Sequence, residues 1–220
     1  MNNRLTECTP PAPVAHPLAR MDLCGLFTPQ GYEPGYDYPL VVWLPERSRP
    51  FDLGRAMKRL SLRNFVAVVP DFDPQAGDES VWDAIDRVSD RISIHPRRIY
   101  LVGQGAGGTD AFRIACRHPD SFAGVVSLGG QFPLAEGLFA RLAEVRRLPM
   151  LLCCRRTECR DVARHVDTTL RAFHAAGGML SLRIYHGSHD LSKAILGDVN
   201  RWLMDDVCGT ATPIPSPATP

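Results

Sequence analysis

Six short apolar runs, most of them separated by helical patterns, constrain this chain more than any other feature. They are Leu40–Leu44, Phe65–Val69, Ile99–Val102, Gly124–Leu128, Pro149–Cys154 and Leu180–Tyr185, the first four rich in β-branched residues. Continuous apolar runs of this length suit strands buried on both faces of a parallel sheet. Between them, Val81, Trp82, Ile85, Val88 and Ile92 recur at helical spacing behind Asp78, a candidate N-cap. Val162, Val166, Leu170 and Phe173 form a second stripe, ended by Gly177-Gly178. Leu191, Ile195, Val199, Trp202 and Leu203 form a third. Strand and helix in alternation predict an α/β fold: a mostly parallel central sheet with helices on both faces.

Composition narrows the functional classes. The chain has 220 residues, 45% hydrophobic and 22% charged, with a formal net charge of +1. That length fits one domain able to bury its own core. The balanced charge gives no footprint for nucleic acid or an anionic membrane. No apolar run is long enough for a transmembrane helix, and the first twenty residues lack the apolar centre of a secretory signal. The seven cysteines are odd in number, mostly inside apolar runs, and without zinc-ligand spacing. These features point to a reducing, cytoplasmic compartment and to no metal and no cofactor. The Pro- and Thr-rich ends, residues 1–20 and 209–220, read as disordered tails around one domain spanning residues 21–208.

The most chemically suggestive segment is Arg98-Ile99-Tyr100-Leu101-Val102 running into Gly103-Gln104-Gly105-Ala106-Gly107-Gly108, followed by a helix. Gly103, Gly105 and Gly108 satisfy the GxGxxG pattern of dinucleotide-binding turns, in which a pyrophosphate rests on a helix N-terminus. The turn lies halfway along the chain, however, and the next strand ends Ser127-Leu128-Gly129-Gly130, with no acid to hold a ribose. The same frame matches the G-x-S-x-G nucleophile elbow, with Gly105 in place of the central serine. A tight strand-to-helix turn that needs glycine for backbone reasons alone is the plainest reading.

Three flanking segments carry a family resemblance. They are Gly31-Tyr32-Glu33-Pro34-Gly35-Tyr36-Asp37-Tyr38-Pro39 leading into Leu40–Leu44, His95-Pro96-Arg97-Arg98 leading into the turn, and Arg117-His118-Pro119-Asp120-Ser121-Phe122-Ala123-Gly124-Val125-Val126 leaving its helix. From about Met21 to Val207 the chain resembles small esterases of the α/β-hydrolase superfamily: the phospholipase/carboxylesterase/thioesterase group and feruloyl-esterase- and polyhydroxybutyrate-depolymerase-like proteins. The resemblance implies a three-layer α/β-hydrolase sandwich. It places the nucleophile position at Gly105, the acid at Glu158 (Asp161 being the less well aligned alternative) and the base at His189. It also implies an oxyanion loop opening with His-Gly after Leu40–Leu44, where this chain has Pro45-Glu46-Arg47-Ser48.

An ester-cleaving serine enzyme needs an oxygen nucleophile, a base and donors for the oxyanion. Glycine offers no attacking atom, so the resemblance implies an esterase relative defective in serine chemistry. Gly103, Gln104, Ala106, Pro45 and Glu46 would then line a remnant pocket for a small carboxylate or acyl compound, since the Ala106 and Gly107 amides favour anions. Glu46, if it faces that pocket, would bring negative charge to where an oxyanion forms. The competing reading is an active carboxylesterase or thioesterase using Ser127, Thr109, Ser188, Cys153 or Cys154, or water activated by Glu158 and His189. A dinucleotide-binding protein is the third. Gln131–Leu148 is expected to shape the pocket rim, with Phe139, Leu142 and Val145 packing on the domain or on another subunit. His165 and His174 read as surface or rim residues, and His95 and His118 as flanks of turn prolines.

Overall fold

The computed structural model describes residues 25–75, 77–136, 142–156, 160–186 and 191–207, with the backbone alone at 160–163 and 205–207. Both expected tails, and Phe139, lie outside them. The chain runs β1 (Leu26–Phe27), β2 (Tyr38–Leu44), α1 (Leu53–Leu60), β3 (Val66–Val68), α2 (Glu79–Ser89), β4 (Ile94–Gln104), α3 (Ala106–Arg117), β5 (Gly124–Leu128), α4 (Leu142–Val145), β6 (Met150–Arg155), α5 (Arg160–Ala176), β7 (Leu180–Tyr185) and α6 (Lys193–Arg201). A short 3-10 turn at Leu134–Glu136 and a π-helical turn at Trp202–Val207 complete it. The seven strands form one sheet in the order β1-β3-β2-β4-β5-β6-β7, all parallel except the β1–β3 pair.

Every residue of β2, β3 and β5 is buried, as continuous apolar runs require. Alternate side chains feed two cores. Leu40, Val42 and Leu44 of β2 face α2, α3 and Phe173 of α5, whereas Val41 and Trp43 face α1 and α6. Helices therefore cover both faces of a three-layer sandwich, and each fully buried Leu or Phe contributes roughly 1.5–3 kcal/mol.

The sequence reading overlooked α1. Its Asp52 side chain caps the Arg55 N–H at 2.9 Å, and Leu53, Ala56, Met57 and Leu60 make the buried stripe. Asp78 is the N-cap of α2, as expected, but makes no side-chain cap bond; its carboxylate pairs with Arg117 and His118 instead. Three expectations are corrected. Leu170 is 37% exposed and drops out of the α5 stripe, whose Val166 and Phe173 pack on the core. Leu191 precedes α6, which starts behind Ser192, whose hydroxyl accepts the Ile195 N–H. His95 and Pro96 lie within β4 rather than in a turn, and the β2–β4 register shifts there between Tyr38 and Leu40. The Gly177-Gly178 stop holds: Gly177 has φ 67°, and the Gly178 N–H returns to Phe173 O at 2.9 Å.

Candidate functional site

Gly105 is the joint between β4 and α3, with φ 54° and ψ −124°. An L side chain held in such a sparsely populated region costs about 1–3 kcal/mol. The turn is tied to the sheet by the Gly105 N–H donating to Leu128 O at 2.9 Å, and it closes on itself through Gly108 N–H to Gly105 O at 3.0 Å. Close approach explains two more glycines. A Cβ on residue 103 would lie 2.6 Å from the Gly108 Cα, and one on residue 107 would lie 2.7 Å from the Leu44 carbonyl carbon and 2.8 Å from Pro45 O. The first turn of α3 thus rests backbone to backbone on the end of β2. These glycines have a packing reason that owes nothing to a ligand.

The loop leaving β2 sends one side chain back over this joint. Glu46 Oε2 accepts the Ala106 N–H at 3.1 Å, and the Ser48 hydroxyl approaches Oε1 at 3.4 Å. A Cβ built on residue 105 would fall 2.8 Å from Glu46 Cδ and closer still to Oε2. The carboxylate therefore fills the space that any side chain at 105 would enter. It also takes the first free amide of the helix, where a negative charge is favoured.

A cleft of about 590 Å³ opens at this joint. Glu46, Gly105 and Ala106 form one end, Thr109 and Arg113 of α3 one side, and Gly129 to Glu136 with His165 of α5 the rest. The Thr109 hydroxyl accepts the Gln131 N–H at 3.0 Å, which fastens the rim segment to α3. Arg113 grips Glu136 with two bonds of 2.6 Å and also contacts Asp110 one turn back, while Arg47 reaches Asp110 Oδ2 at 3.8 Å. Burial raises the Asp110 carboxyl above its ordinary range despite opposition from Arg113 and Arg47. The hydrogen bond from Arg113 holds Glu136 below its ordinary range. His165 Nε2 is buried without a hydrogen-bond partner.

The structure brings together only part of the expected site. Glu46, Gly105 and Ala106 line the cleft; Gly103, Gln104 and Pro45 do not. Gln131 to Glu136 form the rim as expected, and Val145 is buried in the core. Glu158, Ser188 and His189 lie outside the described residues, and Asp161 is described by backbone only, within α5. Of the alternative nucleophiles, Thr109 is at the cleft. Ser127 is fully buried under the turn beside Gly103 and Gly108, its hydroxyl without a partner. Cys153 and Cys154 are buried and in no disulfide, and burial pushes Cys153 up to about 12, so it is protonated at neutral pH. Its neighbour Tyr185 donates to Asp198 at 3.0 Å. Among the described residues no cluster of His, Cys, Asp and Glu could hold a metal ion, and no helix is long and apolar enough to cross a membrane.

Sequence reasoning missed Arg113 and Glu136 and treated His165 only as a rim residue. Asp110 and Arg113 stand at i,i+3 on the elbow helix, a spacing that could have flagged them. Nothing local marks Glu136, 23 residues further on.

Comparison with solved structures places this geometry in a known fold. A thermostable esterase superposes with a TM-score of 0.64 at 16% identity, over 82% of this chain and 58% of that one. FphF, a fluorophosphonate-binding serine hydrolase of Staphylococcus aureus, superposes with 0.62 at 14% identity, over 82% and 87%. A ferulic acid esterase does so with 0.59 at 15% identity, over 77% and 85%. The fold is that of the α/β-hydrolases. No family model matches the chain. NocK, a candidate esterase of Nocardia uniformis subsp. tsuyamanensis, is 38% identical over 61 residues, which is 28% of this chain and 18% of NocK. In an α/β-hydrolase the elbow is a sharp strand–turn–helix junction at the top of the sheet, and β4–Gly105–α3 is a junction of that kind.

Proposed function

We propose that this chain is an α/β-hydrolase-fold, esterase-like protein that has lost serine-ester hydrolysis and keeps its cleft for binding. Gly105 stands at the nucleophile position in this reading, with Glu158 and His189 as the remaining acid and base. The observation that carries it is the seat of Glu46. Its carboxylate overlaps the position of a residue-105 side chain and occupies the Ala106 amide at 3.1 Å. In a serine esterase that amide, from the residue after the nucleophile, stabilises the oxyanion. Losing an oxyanion donor costs about 3 kcal/mol, a hundredfold or more in rate. Here the donor is bound to a negative group, so a second negative charge developing beside it would be repelled. The lost nucleophile and the blocked donor are two separate defects, on two different loops.

The relocated thiol is disfavoured by the high Cys153 value, and Ser127 by its position under the turn. The pyrophosphate of a dinucleotide would meet the same carboxylate at the helix N-terminus. Three buried cysteines outside any disulfide, Cys116, Cys153 and Cys154, fit the reducing cytoplasm we assign to the protein. Hydrolysis of p-nitrophenyl acetate and butyrate by the wild type tests the reading. Rates at buffer background are expected, whereas turnover that His189→Ala abolishes would overturn it.

A further inference from the structure

We infer that the elbow cleft has inverted its polarity: it takes an ammonium or other hydrogen-bond-donating group, not the carboxylate or oxyanion that an esterase site holds. The inference rests on the binding role proposed above and names the ligand class.

The anion seat at the α3 N-terminus is already filled from within the chain. Glu46 Oε2 accepts the Ala106 N–H at 3.1 Å and faces the cleft. The other cleft cation is equally committed. Arg113 holds Glu136 through two bonds of 2.6 Å and Asp110 through a third contact, which leaves its charge spent on two acids. Arg47 is engaged with Asp110 at 3.8 Å. Among the side chains that line the described cleft, two carboxylates (Glu46 and Glu136) stand against one guanidinium (Arg113), a surplus of one negative charge.

That surplus sits on Glu46. Asp110 and Glu136 each have a guanidinium, while Glu46 has only neutral donors: one backbone amide and one hydroxyl. A carboxylate accepts up to about four hydrogen bonds, so Glu46 retains acceptor capacity toward the cleft. An entering carboxylate would have to displace Glu46 or sit beside it with like charge. An entering ammonium would complete it with charge-assisted bonds. His165 stands at the cleft wall, its Nε2 buried and without a hydrogen-bond partner. The apolar part of the cavity, Pro133 and Leu134, suits a short alkyl chain on the donor.

The test uses three four-carbon probes of matched shape: butylammonium, butanol and butyrate. Each is titrated into the full-length protein at neutral pH, with heat and the Ala106 amide NMR resonance as readouts. Butylammonium is expected to bind about tenfold or more tightly than butyrate, with butanol between, and to shift the Ala106 resonance. Glu46→Gln keeps the shape and removes the charge, and it should erase the preference; Glu46→Ala should reverse it toward butyrate by freeing the amide. Thermal melts of both variants establish that they fold. Butyrate binding the wild type as well as butylammonium does, a preference unchanged in Glu46→Gln, or no saturable binding of any probe would each overturn the inference. Ester hydrolysis by the wild type would sink the proposed loss of activity without touching this preference, so the two failures are distinguishable.

Discussion

The carboxylate of Glu46 and a side chain at residue 105 exclude each other: a Cβ there would lie 2.8 Å from Glu46 Cδ and nearer still to Oε2. The first prediction follows directly. Gly105→Ser places a side chain on a backbone at φ 54° and against the acid, so it should destabilise by about 2–4 kcal/mol in urea titration. Glu46→Ala in the same chain should recover about 1–2 kcal/mol of that loss. Additive effects of the two substitutions would show that the side chains do not share one space.

Gly107→Ala behaves differently, because its neighbours are main chain and cannot step aside. Its Cβ would meet the Leu44 carbonyl carbon at 2.7 Å and Pro45 O at 2.8 Å. A loss of about 3 kcal/mol or more is expected, unrelieved by Glu46→Ala. Relief by that second substitution would contradict the distinction.

Much of this fold is legible in the sequence because it is written in buried apolar runs. β5 falls where its buried run places it; β7 has the expected bounds but, as an edge strand, is partly exposed rather than buried on both faces, and the Gly177 stop of α5 is local chemistry. The β4–α3 turn is legible too, since four glycines in six residues mark a turn where backbones touch. The seat of Glu46 is not. Sixty residues separate it from Ala106, and nothing in Pro45-Glu46-Arg47-Ser48 says which way the carboxylate turns. Glu136 is hidden for the same reason, because its partner Arg113 meets it only through the fold. Helix α1 was within reach, for Asp52 and the Leu53, Ala56, Met57, Leu60 stripe are ordinary helix signals in a short segment.

Burial governs the pH behaviour of the α3 network. The folded Asp110 carboxyl titrates above its unfolded value, chiefly from desolvation. Below the unfolded value it is neutral in both states. As pH rises past that value the unfolded chain ionises first, and the folded state loses relative stability until its own, higher value is passed. Asp110→Asn lacks this effect. Urea melts of both proteins from pH 3.5 to 7.5 should show stability of the variant relative to wild type rising with pH and then levelling. A relative stability that falls as pH rises would refute the assignment.

Cysteine reactivity separates packing from chemistry. Burial pushes both Cys116 and Cys153 up to about 12. Iodoacetamide at pH 8 followed by peptide mapping should leave both unmodified in the native protein and alkylated in urea. Rapid native labelling of Cys153 would restore it as a candidate nucleophile.

The central claim, that no activated hydroxyl faces this cleft, is tested most directly by intact-mass measurement after incubation with a fluorophosphonate. That reagent bonds covalently to an activated serine or threonine without requiring the right substrate. The account predicts an unchanged mass. A stoichiometric adduct mapping to Ser127, Thr109 or Ser188, and lost in His189→Ala, would contradict it.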